Sequence, residues 1–308
     1  MTSPYFLAIS GNFKLIGYEP DGDSVRFIAD NPARWNMLKN HFRIQPSKLD
    51  GSVQLRFDGI DATELHYGSQ AQPLGPEARD RLLSLMGFTK ITYEPLSATV
   101  KASNPQAVPT RVKTSTPATI PGFVLSQMAE INGRPVAYVL VGADAEGLRD
   151  GRWTNVTDVL LRRTLNAQIL ADGTVYITLY TSSPTQHQQI LRDIARAARA
   201  AAQGVWARDS TAQFDLVDQS SISPPDGAVI LPKLFRRATD YLKDVATKGF
   251  SGNLADWIRS VSASGTRNEN DQVLVCGSLP VHLADLLEQR NKAVAFLVDP
   301  IEITFVEK

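Results

Sequence analysis

The chain has 308 residues with 32 basic and 32 acidic side chains, so its formal net charge is zero. That balance excludes a global field drawing the protein onto a polyanion, and any nucleic-acid contact must come from a local patch. A single cysteine, Cys276, excludes an intrachain disulfide and a cysteine-built zinc cluster, and no segment approaches the ~18 uninterrupted apolar residues of a membrane-crossing helix.

Residues 5–28 alternate in apolar character around the turn Pro20-Asp21-Gly22-Asp23 and predict a strand pair. Residues 29–52 have little periodicity and read as a surface excursion before a strand at 53–60. Gly75-Pro76 opens a helix whose apolar face is Leu82, Leu83, Leu85 and Met86, and Gly87 stops it. Residues 97–122, rich in Pro, Ser, Thr and Ala, predict a long extended loop. Asn132-Gly133 is the tip of a hairpin over 123–142, with Arg134 just past it.

Helices are predicted at 155–171 and 185–203. The second carries the stripe Ile190, Leu191, Ile194, Ala195, Ala198 beside Arg192, Arg196 and Arg199, and Gly204-Val205-Trp206 closes it as a hydrophobic cover. Residues 213–228 look like a linker. Beyond it, helical segments are predicted near 232–247, 252–262 and 280–290, then strands at 293–298 and 301–306. The expected organisation is a domain over 1–212, a linker over 213–228 and an α+β extension over 229–308. With no basic, apolar leader at its start, the chain is expected to be soluble and cytoplasmic, and one cysteine fits a reducing compartment.

Singly, the polar motifs admit plain readings. Asp21-Gly22-Asp23 and Asp58-Gly59 suit turns, Arg134 suits a hairpin, and Asp61 with Glu64 suits a cap. Their order narrows the reading. Asp-Gly-Asp, then Arg56-Phe57-Asp58-Gly59-Ile60-Asp61-Ala62-Thr63-Glu64, then Gly-Pro-Glu-Ala opening a helix, then Gly133-Arg134 with Ala137-Tyr138, and last a helix closing on Gly-Val-Trp, resemble the staphylococcal nuclease (thermonuclease) family over residues 10–210. The resemblance implies an α+β fold, an OB-type five-stranded β-barrel with packed helices. It also implies calcium-dependent cleavage of DNA or RNA phosphodiesters.

On the same resemblance, Asp23 and Asp61 would be calcium ligands, the backbone carbonyl of Ala62 a third, and Asp21 a supporting carboxylate in the same turn. Arg56 and Arg134 would bind phosphate, and Glu64 would position or deprotonate the attacking water. Thr63 stands where the family often has proline, Glu130 matches an acidic residue before the Gly-Arg hairpin, and Tyr176 and Tyr180 lie near substrate-side tyrosines in an unassigned register. The excursions at 29–52 and 97–122 are longer than the compact family members need.

The chemistry is coherent. Calcium takes hard oxygen ligands at relaxed geometry, and a site with two protein anions binds it weakly until substrate contributes oxygens. Arginine supplies a bidentate fork to phosphate and keeps its proton. His41, His66, His187 and His282 lack metal-ligand spacing, Cys276 reads as a small strand residue, and neither a nucleophile elbow nor a phosphate-binding Walker loop occurs.

The contrasting reading is a non-catalytic nucleic-acid-binding or scaffolding protein on the same barrel. Residues 229–308 carry no clustered acidic or histidine ligands and are expected to serve packing, substrate orientation or a protein partner. A chain ending near Asp218 is therefore expected to keep cleavage.

Overall fold

The computed structural model describes residues 4–104, 106–265 and 269–307. In chain order the elements are β1 (Tyr5–Lys14), β2 (Arg26–Ala29), β3 (Val53–Gln54), β4 (Arg56–Phe57), β5 (Ile60–Asp61), α1 (Gly75–Met86), β6 (Thr89–Tyr93), α2 (Ala98–Ser103), β7 (Val112–Thr116), β8 (Thr119–Ala129) and β9 (Pro135–Val141). They continue with β10 (Trp153–Asn155), α3 (Asp158–Arg163), α4 (Leu165–Ala171), β11 (Tyr176–Ile177), β12 (Leu179–Tyr180), α5 (Thr185–Ala200) and β13 (Gln213–Asp215). Last come α6 (Pro232–Lys248), α7 (Leu254–Ala263), β14 (Gln272–Val275), β15 (Val281–His282), β16 (Leu287–Arg290), β17 (Ala293–Phe296) and β18 (Ile303–Phe305). The architecture is mixed α+β.

The largest sheet runs β3-β2-β1-β8-β9-β4, and β10 adds to the start of β1. Only Leu55 separates β3 from β4, so one short segment pairs with β2 at one end and, in parallel, with β9 at the other. The sheet is therefore nearly closed into a barrel. Its interior holds the alternate apolar side chains Leu7, Ile9, Phe13, Leu15, Phe27, Leu55 and Phe57, all fully buried.

The helices form where the sequence places caps and apolar stripes. Pro76 sits in the first turn of α1, and Gly87 closes the helix in the left-handed region at φ 98°, donating its N–H to Leu83 and Ser84. Residues 155–171 split into α3 and α4 at Thr164, whose side chain caps the second helix by accepting from Ala167 N–H. In α5 the stripe Ile190, Leu191, Ile194, Ala195, Ala198 is buried, and Trp206 covers Tyr176 edge to face at 5.3 Å.

Three local expectations change. The 97–122 stretch holds α2 and β7, and β7 pairs with β6 as an exposed two-stranded ribbon. Over 280–290 the chain forms β15, a 3-10 turn at Leu283–Leu286 and β16 instead of a helix, because Leu283, Leu286 and Leu287 are buried from short irregular segments. Cys276 is exposed in a turn at φ 49°, and is not a strand residue.

The C-terminal segment packs closely on what precedes it. β18 pairs in parallel with β12, matching Leu179 to Thr304 and Tyr180 to Phe305. Within 213–228, read as a linker, β13 pairs with β17 and Gln219–Ile222 makes a 3-10 turn. The arginines flanking the α5 stripe also bind this segment: Arg192 donates to Ile301 O at 3.0 Å, Arg196 meets Glu302 at 2.7 Å and Arg199 meets Asp299 at 2.7 Å. No helix among the described residues is long and apolar enough to cross a membrane.

Candidate functional site

Asp21, Asp23, Arg56, Asp61, Ala62, Glu64 and Arg134 line a single open cavity of about 460 Å³. Three turns and two strands, β4 and β5, bring them there. Gly22 lets the first turn lie directly on the second: a β-carbon at that position would stand 2.6 Å from Ala62 Cβ and 2.8 Å from Ala78 Cβ. Gly75 does the same beneath Glu64, whose carbonyl oxygen would lie 2.8 Å from an added β-carbon. That close approach gives the helix-opening glycine a second role, beyond starting α1.

Arg56 is set by β4, and its Nη2 donates to Tyr180 Oη at 3.2 Å. The turn after β4 is clamped by buried Asn166, whose Nδ2 donates to the carbonyls of Asp58 (2.8 Å) and Ala137 (3.0 Å) while Oδ1 accepts from Val139 N–H at 3.0 Å. Arg134, past the hairpin tip, is held by buried Glu130 through its Nε at 3.0 Å. The fork of Arg134 is thus aimed from behind by a carboxylate, with Asn132 Nδ2 completing the bracket at 2.9 Å from Glu130. His187 is a packing residue, buried with Tyr138 Oη at 3.2 Å and Val156 O at 2.8 Å.

Two residues of α6 enter the same cavity, Lys233 and Arg236. Arg236 makes a two-pronged contact with Asp61, Nη2 to Oδ2 at 3.0 Å and Nη1 to Oδ1 at 3.4 Å, and the Nη1 atom also meets Glu64. Lys233 lies 4.2 Å from the Phe305 ring centre and 5.3 Å from that of Tyr180. The start of α6 is fixed by the Arg237–Asp271 ion pair and by Gln72, which accepts from Glu64 N–H at 3.0 Å and donates to Ile230 O at 2.8 Å. Residues 229–308, expected to serve packing, substrate orientation or a protein partner, thus contribute two side chains to the lining of this cavity. The sequence alone carries no signal for them, since a lysine and an arginine at i and i+3 suit any solvated helix face.

Charge is divided unequally over the carboxylates. Burial would raise Asp61, but the Arg236 and Arg56 guanidiniums outweigh it and hold the group below its ordinary range. At Glu64 burial, helped by the charges of Asp61 and Asp23, wins over Arg236 and lifts the carboxyl to about 7. Burial together with Asp61 raises Asp23, and burial together with Asp23 and Glu64 raises Asp21 well above the usual carboxylate range. One guanidinium shared by two acids stabilises negative charge on one of them and leaves the other reluctant to ionise. Burial would raise Tyr180, yet Arg56 and Lys233 bring its phenol below the ordinary value.

The donor set suits a hard cation that prefers oxygen: two carboxylates from adjacent turns and the Ala62 backbone. Among the described residues no three or more His, Cys, Asp or Glu side chains converge as a metal cage, and the expected set has only two carboxylate ligands. Among the described residues, no lysine or arginine forms an ion pair with Asp23, whereas both oxygens of Asp61 are engaged by Arg236. Any cation at Asp61 would therefore meet the charge of Arg236. No family model matches the chain, and no curated protein matches it at a significant level.

Proposed function

We propose that this chain is a divalent-cation-dependent phosphodiesterase of the thermonuclease type, hydrolysing DNA or RNA by in-line attack of water. The observation that carries the reading is the facing of Asp23, Asp61 and Glu64 by Arg56 and Arg134 across one open cavity. The strand order, with a parallel β4–β9 pair closing an antiparallel sheet, supports an OB-type barrel beneath it.

In this reading Asp23, Asp61 and the Ala62 carbonyl would hold calcium, which would supply charge neutralisation to the phosphodiester. Arg56 and Arg134 donate to the remaining phosphate oxygens through their planar forks. Glu64 orients the attacking water and takes its proton, a function matched to a carboxyl raised to about 7. Tyr180 accepts a hydrogen bond from Arg56, lies with its ring 5.1 Å from that guanidinium and lines the cavity.

A second reading is favoured by one specific contact. Because Arg236 already neutralises Asp61 and contacts Glu64, the cavity is also suited to binding nucleic acid without turnover. Incubation of the purified chain with single-stranded DNA, duplex DNA and RNA, in calcium or in chelator, separates the two. Calcium-dependent cleavage lost in Glu64→Gln supports the enzyme. Binding of the same oligonucleotides with no cleavage in calcium supports the binding module and overturns it.

A further inference from the structure

Arg236 belongs to α6, some 170 positions beyond the carboxylates it contacts, at separations of 175 and 172 residues from Asp61 and Glu64. It is the only basic side chain among the described residues that forms an ion pair with either of them. Its neighbour Arg237 is fully committed elsewhere, to Asp271 and to the carbonyls of Glu269 and Lys233. The helix is therefore anchored independently of the cavity, and Arg236 is free to leave Asp61 without releasing α6. Its side chain keeps 25% of its surface exposed, on the cavity side, which gives it somewhere to go.

We propose that Arg236 is a resident counter-cation of this carboxylate pair, exchangeable for a divalent ion, so that residues from the C-terminal segment set the cation affinity of a site built by the N-terminal barrel. The inference rests on the cation-site reading given above and adds to it how that site is regulated. A guanidinium and a divalent ion compete for the charge of Asp61: Arg236 already engages both of its oxygens, and two cations at contact distance repel. Binding of the ion and seating of Arg236 then oppose each other, and each weakens the other by the same factor. A phosphate at Arg56 and Arg134 would offer the displaced guanidinium a new anion, so substrate and cation favour each other through Arg236.

The test is calcium binding to the full chain, read by isothermal titration calorimetry and by melting temperature in calcium against chelator, with no activity measurement. Arg236→Gln removes the competing charge and should bind calcium at least tenfold more tightly than wild type, a coupling of ordinary size. In chelator that variant should melt below wild type, because Asp61 and Glu64 lose their counter-ion, and calcium should raise its melting temperature by more. Arg236→Lys, which keeps the charge and loses the fork, should lie between them. It also guards against misfolding of the glutamine variant. Equal calcium affinity in all three proteins overturns the competition and leaves the cation site standing. No heat and no thermal shift from calcium in any of them overturns the cation site, and the exchange with it.

Discussion

Replacing Gly22 by alanine asks a methyl group to enter a space that two neighbouring elements already fill. The new β-carbon would lie 2.6 Å from Ala62 Cβ and 2.8 Å from Ala78 Cβ, where ordinary contact begins near 3.4 Å. The first turn must therefore withdraw by the better part of an ångström from the turn that follows β5 and from α1. Neither wall can yield alone, since each is a short side chain fixed to backbone. Overpacking of this kind costs about 1–3 kcal/mol, partly offset by ~0.4–1 kcal/mol from restricting the unfolded chain. A net loss of about 1–2 kcal/mol should appear in urea melts. The functional loss should be larger in proportion, because Asp23 sits one residue away and a 1 Å misplacement of reacting groups can cost ~10²-fold. A Gly22→Ala protein with wild-type stability and wild-type calcium-dependent cleavage would show that the two turns are not in the contact described, and would refute the argument that glycine assembles the site.

Glu64→Gln should lower cleavage by about 10²–10⁴-fold while leaving the circular dichroism spectrum unchanged, as removal of a general base does; retained cleavage would remove Glu64 from its role. The same carboxyl provides a pH signature in chelator. Its folded value, about 7, lies above its ordinary 4.5, so its contribution to stability is complete below pH 4.5 and is lost as pH rises through 7. Wild type should therefore lose stability relative to Glu64→Gln between pH 5 and about 8, and parallel profiles would contradict the assignment. Asn166→Ala strips three hydrogen bonds from buried backbone groups and should cost on the order of 3 kcal/mol in a denaturant titration. A chain ending at Asp218 loses the partner of β12 and the buried Leu234, Phe235, Trp257 and Phe305. It should show no cooperative unfolding transition, and a folded, active truncation would restore an independent N-terminal unit.

The parts of the fold that could be read from the sequence are those written in local chemistry. Asp-Gly-Asp, Asp58-Gly59 and Asn132-Gly133 are turn signals, and because charged residues sit beside them, locating the turns also located the cavity walls. Gly87 marked a helix end for the same reason, whereas the break at Thr164 inside 155–171 went unread because no glycine or proline flags it. The ribbon of β6 and β7 was hidden because most of its residues face solvent, so a Thr- and Ser-rich strand looks like a loop when little of its alternation is buried. The leucines of 280–290 matched a helical period while being buried from a turn and the strand that follows it. Lys233 and Arg236 were illegible in principle: their partners are defined only by tertiary closure. The arginines of α5 were legible only as flanking the apolar stripe, and they serve as the socket for Ile301, Glu302 and Thr304.

The pairings that close this molecule span long stretches of chain. β1 meets β8 with Leu7 opposite Ser126, and β12 meets β18 with Leu179 opposite Thr304. Contacts of such sequence separation form slowly, because the entropy of closing the intervening loop is spent before any contact is gained. Helix α5 and the β8–β9 hairpin can form early from their own residues, while the other edge of β8 waits for a partner more than a hundred positions away. Recovery of the cavity after dilution from denaturant will then trail recovery of helical signal. The strand most exposed in the interval, and so most prone to pair with another chain, is β8 itself.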